Sequence, residues 1–220
     1  MLSEFLDPAL LQIVALTLRV TGGALCLATL AGVPLGAFLG LVRFRGHRLV
    51  ALVLYTGMGL PPVVVGLFVY VLLSRQSPFG VLGWLFTPAA MVVAQTVVAF
   101  PLVAGLTMSA VAGVDREVRR HVVALGASRW QAAWAVLIEA RVGVTAAVVA
   151  AFGAIISEVG AVMLVGGNIQ GETRVLTTAI VLYTRQGEFA MAMALGVTLI
   201  VIAFAANVLL LRLQGRLRDP

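Results

Sequence analysis

The chain has 220 residues, of which 61% are hydrophobic and 11% charged, with a net charge of +6 and a mean hydropathy of +1.09. A soluble domain carries about 25% charged residues. The composition therefore excludes an ordinary soluble enzyme, a disordered chain and a disulfide scaffold, and leaves an integral membrane protein. The apolar runs are long and unbroken rather than alternating, which predicts helices and not a strand barrel.

All 15 basic residues are arginine. A chain without lysine has no P-loop for ATP, no Schiff-base chemistry and no Ser-x-x-Lys pair. Cys26 is the single cysteine, so no intrachain disulfide is possible, and with only His47 and His121 beside it no metal site is expected. The arginines cluster at the ends of apolar runs, a membrane pattern rather than a nucleic-acid one.

In chain order, residues 1–8 carry Glu4 and Asp7 and lack a basic n-region. The first apolar run is therefore expected to stay as an anchor. The charge-poor runs predict five spans, at about 16–42, 49–73, 87–112, 143–165 and 189–211, each near the ~20 residues that cross a bilayer. Together they make one transmembrane domain over 1–220. Gly32, Gly36 and Gly40 fall on one face of the first span, a spacing that lets helices approach closely. It suits either packing within the chain or contact with a second subunit. Pro34, Pro61, Pro62 and Pro101 predict kinks.

The first-to-second connection holds Arg43, Arg45 and Arg48. The third-to-fourth holds Arg116, Arg119, Arg120, Arg129 and Arg141, and the tail holds Arg212, Arg216 and Arg218. The excess of arginine on this side predicts that it is cytoplasmic, with the N-terminus outside and the C-terminus inside. Arg19, near the outer end of the first span, is expected to snorkel to the headgroups.

The long connection 113–142 is expected to have its own structure. Asp115 is an N-cap for a helix carrying Val118, Val122 and Leu125, and Gly126 is its stop. Ser128 and Gln131 then form a capping box. Trp130, Ala133, Trp134, Leu137 and Ile138 follow as an apolar face at helical spacing. The result is helix, turn, helix at the membrane boundary, either an interfacial anchor or a docking surface for a soluble partner.

Glu158 lies inside the fourth span, where a charge is costly and normally faces a cavity or a partner. A carboxylate repels an anion, so a hydrogen-bonded structural or gating role is expected. The glycine-rich stretch 166–171, with Asn168, lacks nucleotide-loop spacing. Thr173 is expected to cap a short helix with Leu176, Ala179, Ile180 and Tyr183 on one face. Arg174 and Arg185 flank it; surface arginines usually only solvate an edge, and attraction of an anion is the alternative role.

The stretch Ala124-Leu125-Gly126-Ala127-Ser128-Arg129-Trp130-Gln131 resembles the cytoplasmic loop motif of ABC importer permeases: Glu-Ala-Ala, three residues, Gly, nine residues, Ile, one residue, Leu-Pro. Gly126 matches. Arg120, His121 and Val122 replace Glu-Ala-Ala, Val136 and Ile138 stand for Ile and Leu, and Glu139 replaces Pro. Leu60-Pro61-Pro62-Val63-Val64-Val65-Gly66-Leu67 is similar to the second span of molybdate, sulfate and tungstate permeases. Residues 138–141, 154–169 and 173–182 are most similar to the tungstate branch.

The resemblance implies an all-α polytopic bundle of the type I importer permease kind. It acts as a homodimer of ten spans that passes tungstate, or alternatively molybdate or sulfate, inward. It implies a separate ATP-binding cassette subunit, an extracytoplasmic oxyanion-binding protein and surrounding membrane lipid as partners, with no cofactor and no enzymatic activity in this chain. His121, Ala124, Gly126, Ala127, Ser128, Arg129 and Gln131 would form the ATPase-coupling loop. Glu158, Gly160, Asn168, Thr177 and Thr178 would belong to the path or its outer gate. A reading from another class is a channel or scaffold that needs no ATPase.

Overall fold

The structure is a computed structural model that describes residues 8–213. Residues 1–7 and the tail arginines Arg216 and Arg218 lie outside this range. The described residues form ten α-helices and no strand. They are α1 (Pro8–Leu41), α2 (His47–Met58), α3 (Pro62–Leu73), α4 (Pro88–Ala112), α5 (Arg116–Ala124), α6 (Arg129–Glu139), α7 (Arg141–Ile156), α8 (Gly160–Gly166), α9 (Leu176–Gln186) and α10 (Phe189–Leu213). A short 3-10 turn at Pro78–Leu82 precedes α4. An all-helical chain is what the hydropathy pattern requires, because a helix satisfies its own backbone inside lipid.

α1 and α4 are the spine. α1 is 34 residues long, about 51 Å, and runs parallel to α4. Gly23 faces Val92, Gly32 faces Val103, Gly36 faces Ala104 and Thr107, and Gly40 faces Val111. A Cβ on Gly36 would lie 2.8 Å from Thr107 Cβ and 3.0 Å from Met108 N. The small-residue stripe thus packs within the chain, where dispersion between close backbones does what the hydrophobic effect cannot do in lipid. Ala24, Ala28, Ala99, Val103, Ala151 and Ile155 extend this core to α7. At one end, Leu10 and Ile13 pack with Leu176, Ala179 and Leu195, joining α1 to α9 and α10. At the other, Val111, Val136 and Ala140 join α4 to α6.

Three helices are long and apolar enough to cross a membrane alone, within Leu10–Leu41, Pro88–Ala112 and Phe189–Leu210. The stretch expected as one second span, 49–73, is instead α2 and α3, bent by 103°. The cause is local. α2 ends at Gly59, and Pro61 followed by Pro62 supplies two residues without an N–H donor, with Pro61 extended at φ −59, ψ 125. The expected fourth span, 143–165, is also interrupted. α7 stops at Ile156 and α8 begins at Gly160, and α7 is joined to α6 through the single residue Ala140, with a bend of 63°.

The apolar face expected on α6 stays at the surface, as an interfacial or docking face would. Ala132 and Val136 are its buried residues, while Trp130 is 80% and Trp134 58% exposed. Val136 is the buried α6 residue that packs with Val111 of α4, and the tryptophans lie on the other side of the helix. Large apolar residues are likewise exposed on α2, α3 and α10, among them Leu52, Phe68, Met193 and Phe204. Such a surface fits lipid or another membrane helix.

Candidate functional site

The α5–α6 segment is built from local signals. The Asp115 carboxylate accepts from Glu117 N at 2.9 Å and starts α5. α5 ends in a Schellman motif: Gly126 N–H donates to Val123 O at 3.0 Å and Ala127 N–H to Val122 O at 3.2 Å. Gly126 sits at φ +89, a left-handed conformation that glycine adopts without penalty. Ser128 N–H donates to Gln131 Oε1 at 2.8 Å, and Gln131 N–H donates to Ser128 Oγ at 3.3 Å. This reciprocal box starts α6.

His121, Ala124, Gly126, Ser128, Arg129 and Gln131 are all exposed, and Ala127 is half-buried. Leu125, at the tip, is 88% exposed. The turn is therefore rigid in backbone yet open in surface, with an apolar tip ringed by arginine. That combination suits a fixed knob entering a partner's cleft, since little order remains to be imposed on binding. The helix–turn–helix expected from the sequence is present in full.

The second group surrounds the break between α7 and α8. Glu158 is not inside a helix, as expected from hydropathy, but in the break itself. Its Oε1 accepts from Ala161 N at 2.8 Å, and its side chain is buried. The carboxylate thus caps α8, satisfying a donor that would otherwise be orphaned at that helix end. Thr177 Oγ1 donates to the Glu158 carbonyl at 2.9 Å, so α9 is pinned to the same break. Gln95 of α4 donates from Nε2 to Ile155 O at 2.9 Å and so satisfies a carbonyl released where α7 ends. Gly160 lies against Val63, and Gly66 against Ala161. The break is therefore locked onto α3 through backbone-close contacts.

The two threonines do not offer free hydroxyls to a path. Thr177 is bonded to Glu158. Thr178 Oγ1 accepts from Val175 N at 3.1 Å and donates to Val175 O at 3.0 Å, which caps α9. Thr173, expected to be that cap, instead donates to Gly166 O and accepts from Ile169 N at 2.9 Å. It closes the loop over 167–173, where Gly167 and Asn168 have φ of +71 and +54. Asn168 is several residues from the break, with its Oδ1 buried and unpartnered. Arg174 and Arg19 share a cavity of about 530 Å³ at this end of the bundle, with Glu172 also in its lining; Arg185 is not part of it.

Sequence reasoning missed Gln95 and Thr17. Thr17 Oγ1 accepts from Leu176 N at 3.0 Å and ties α1 to α9. Each had a signal: Gln95 is the only amide in its span, and Thr17 is a polar residue in an apolar run.

The geometry at Glu158 makes a direct prediction. Glu158→Gln keeps an oxygen that accepts from Ala161 N, so uptake is expected to survive. Glu158→Leu leaves that donor unsatisfied, at about 1–3 kcal/mol, and uptake should fall. Transport compared at equal membrane abundance is the measurement. A glutamine variant as inactive as the leucine variant would mean that the charge itself is needed.

Known proteins resemble this chain over most of its length. The model of the family described as binding-protein-dependent transport system inner membrane component matches residues 32–219. The tungstate uptake system permease protein TupB of Peptoclostridium acidaminophilum is 42% identical over 208 residues, covering 94% of this chain and 91% of that protein. A probable anion ABC transporter permease protein of Haloferax volcanii is 40% identical over 212 residues, covering 94% and 91%. A solved structure of the MetNI methionine ABC transporter superposes with a TM-score of 0.73 at 20% identity, over 94% of this chain and 93% of that one, and shares the fold. The family match spans the break at Glu158 and the Gly126 turn alike, and this chain belongs to the inner membrane components of binding-protein-dependent transport systems.

Proposed function

We propose that this chain is the permease subunit of an ATP-driven importer that carries tungstate across the cytoplasmic membrane. The observation that carries this reading is the 42% identity to a tungstate uptake permease over nearly the whole of both chains. Hydrolysis of ATP falls to a separate subunit, because a chain without lysine has no P-loop. The exposed α5–α6 turn is the surface on which that subunit docks. Two copies act together, since five spans enclose little space between them. An external binding protein selects the oxyanion and delivers it to the end carrying Arg19 and Arg174. The arginine-rich end, holding Arg43, Arg116, Arg119, Arg120 and Arg129, faces the cytoplasm.

In this mechanism the ATPase moves the α5–α6 turn. The break at 157–159, held by Glu158, Thr177 and Gln95, is the element that opens and closes the outer side. Glu158 acts through its hydrogen bond to the α8 backbone rather than by touching the anion.

The test is metal uptake in cells with and without the gene. Deletion is expected to remove high-affinity accumulation of tungsten, measured by mass spectrometry, and re-expression to restore it. Excess sulfate should not compete. A deletion that abolishes molybdate or sulfate uptake and leaves tungstate uptake intact would overturn the substrate.

A further inference from the structure

A groove on the tryptophan side of α6 shares Arg129 with the docking turn but opens away from it along α1. Its floor is the last turns of α1, with Val33, Pro34 and Phe38, and its wall includes Trp130 and Trp134. Its volume is about 870 Å³. Arg43, Arg119 and Arg129 also line it, and no carboxylate does. Arg119 and Arg129 have no ion-pair partner among the described residues, while Arg43 meets only the His47 ring, with Nη1 3.4 Å from Nδ1. Arg43 is about 15 Å along the α1 axis from Val33, close to half the ~30 Å hydrocarbon thickness of a bilayer.

A small soluble anion would use the arginines and leave the apolar floor wet. An apolar ligand would leave three guanidinium groups unanswered. A second copy of this chain is a poor match, because its described carboxylates near the α5–α6 end are Asp115, Glu117 and Glu139 against eight of the nine arginines from Arg43 to Arg141, Arg75 lying elsewhere. Only an amphiphile with an anionic head answers both halves. We propose that this groove holds one anionic phospholipid. Its acyl chain lies along Val33, Pro34 and Phe38, its phosphate meets Arg43, Arg119 and Arg129, and the two tryptophans flank it at headgroup depth. The lipid touches α1, α5 and α6 together, so it fastens the exposed turn to the bundle. The assignment does not depend on which oxyanion is carried.

The test uses the full chain in phosphatidylcholine bilayers with Trp84→Phe, so that Trp130 and Trp134 report alone. Phosphatidylglycerol brominated on its acyl chains is compared with brominated phosphatidylcholine at the same mole fraction. The phosphatidylglycerol is expected to quench the tryptophans more. Arg119→Gln and Arg129→Gln, both at exposed positions, should each lower that preference by about fivefold, the effect expected of one arginine near a charged headgroup. Excess inorganic phosphate in solution should leave the quenching unchanged. Equal quenching by the two lipids, or a preference that survives both substitutions, would overturn the proposal. Loss of quenching on adding phosphate would reduce the groove to an anion site. Absence of quenching by either lipid would mean that protein covers it.

Discussion

Replacing Gly126 with proline is expected to abolish transport while leaving the protein in the membrane. Proline is fixed near φ −65 and lacks an N–H, whereas Gly126 sits at φ +89 and donates to Val123 O at 3.0 Å. The Schellman bonds that close α5 are lost together, and α6 no longer leaves the turn in its present direction. A local distortion on the order of 3 kcal/mol corresponds to roughly a hundredfold in an equilibrium, enough to dismantle a docking knob. The turn is outside the packed bundle, and a Cβ there would meet nothing within 4 Å. Insertion and folding of the spans should therefore be unaffected. Gly126→Ala carries only the left-handed penalty of about 1–2 kcal/mol and should lie between. ATP-dependent uptake per unit of membrane-inserted protein is the measurement. Normal transport by the proline variant would refute coupling through this turn and favour a channel or scaffold that needs no ATPase.

The second large effect is expected at Gly36. Leucine there must displace the Ala104 carbonyl and Thr107, both on the backbone-close face of α4. Overpacking usually costs about 1–3 kcal/mol when side chains can yield. Here part of the obstacle is main chain, so α1 and α4 must separate and the whole seam from Gly32 to Gly40 loosens. Membrane abundance and melting temperature in detergent should both drop, by about 2–4 °C for each kcal/mol in a chain of this size. Gly22→Ala is the control, because a Cβ at Gly22 meets nothing within 4 Å. A Gly36→Leu protein with unchanged melting but a lost dimer would transfer the stripe from intrachain packing to a subunit contact.

What could be read from the sequence follows how local the physics is. Asp115, Gly126, Ser128 and Gln131 each act within two to five residues, so the helix–turn–helix was legible in detail. Pro61 and Pro62 announced a disturbance of the second span. Its 103° size depends on how α3 packs against α8 through Gly66 and Ala161, contacts nearly a hundred residues apart. The interruption at Glu158 escaped hydropathy because residues on both sides of it are equally apolar. Its partners Gln95 and Thr177 come from other helices. The outward apolar face of α6 has a reason particular to membranes. In water an apolar stripe points to protein, but in lipid both faces are apolar, and residue size decides which one packs. Thr173 and Thr178 were confused because both stand near the start of α9, and only the fold separates a loop clasp from a cap.

The junction at Ala140 has a mechanical meaning. α6 passes into α7 with no loop between them, so the pair is a bent crank without slack. α7 has 16 residues, about 24 Å. A tilt of about ten degrees imposed at the crank's elbow would carry the far end of such a rod some 4 Å sideways, given the helical rise that sets its length. That far end is where Ile156 stops and the Glu158 clasp begins. A flexible linker at 140 would absorb the stroke. Under the proposed coupling, the direct junction would deliver it to the opposite end of α7.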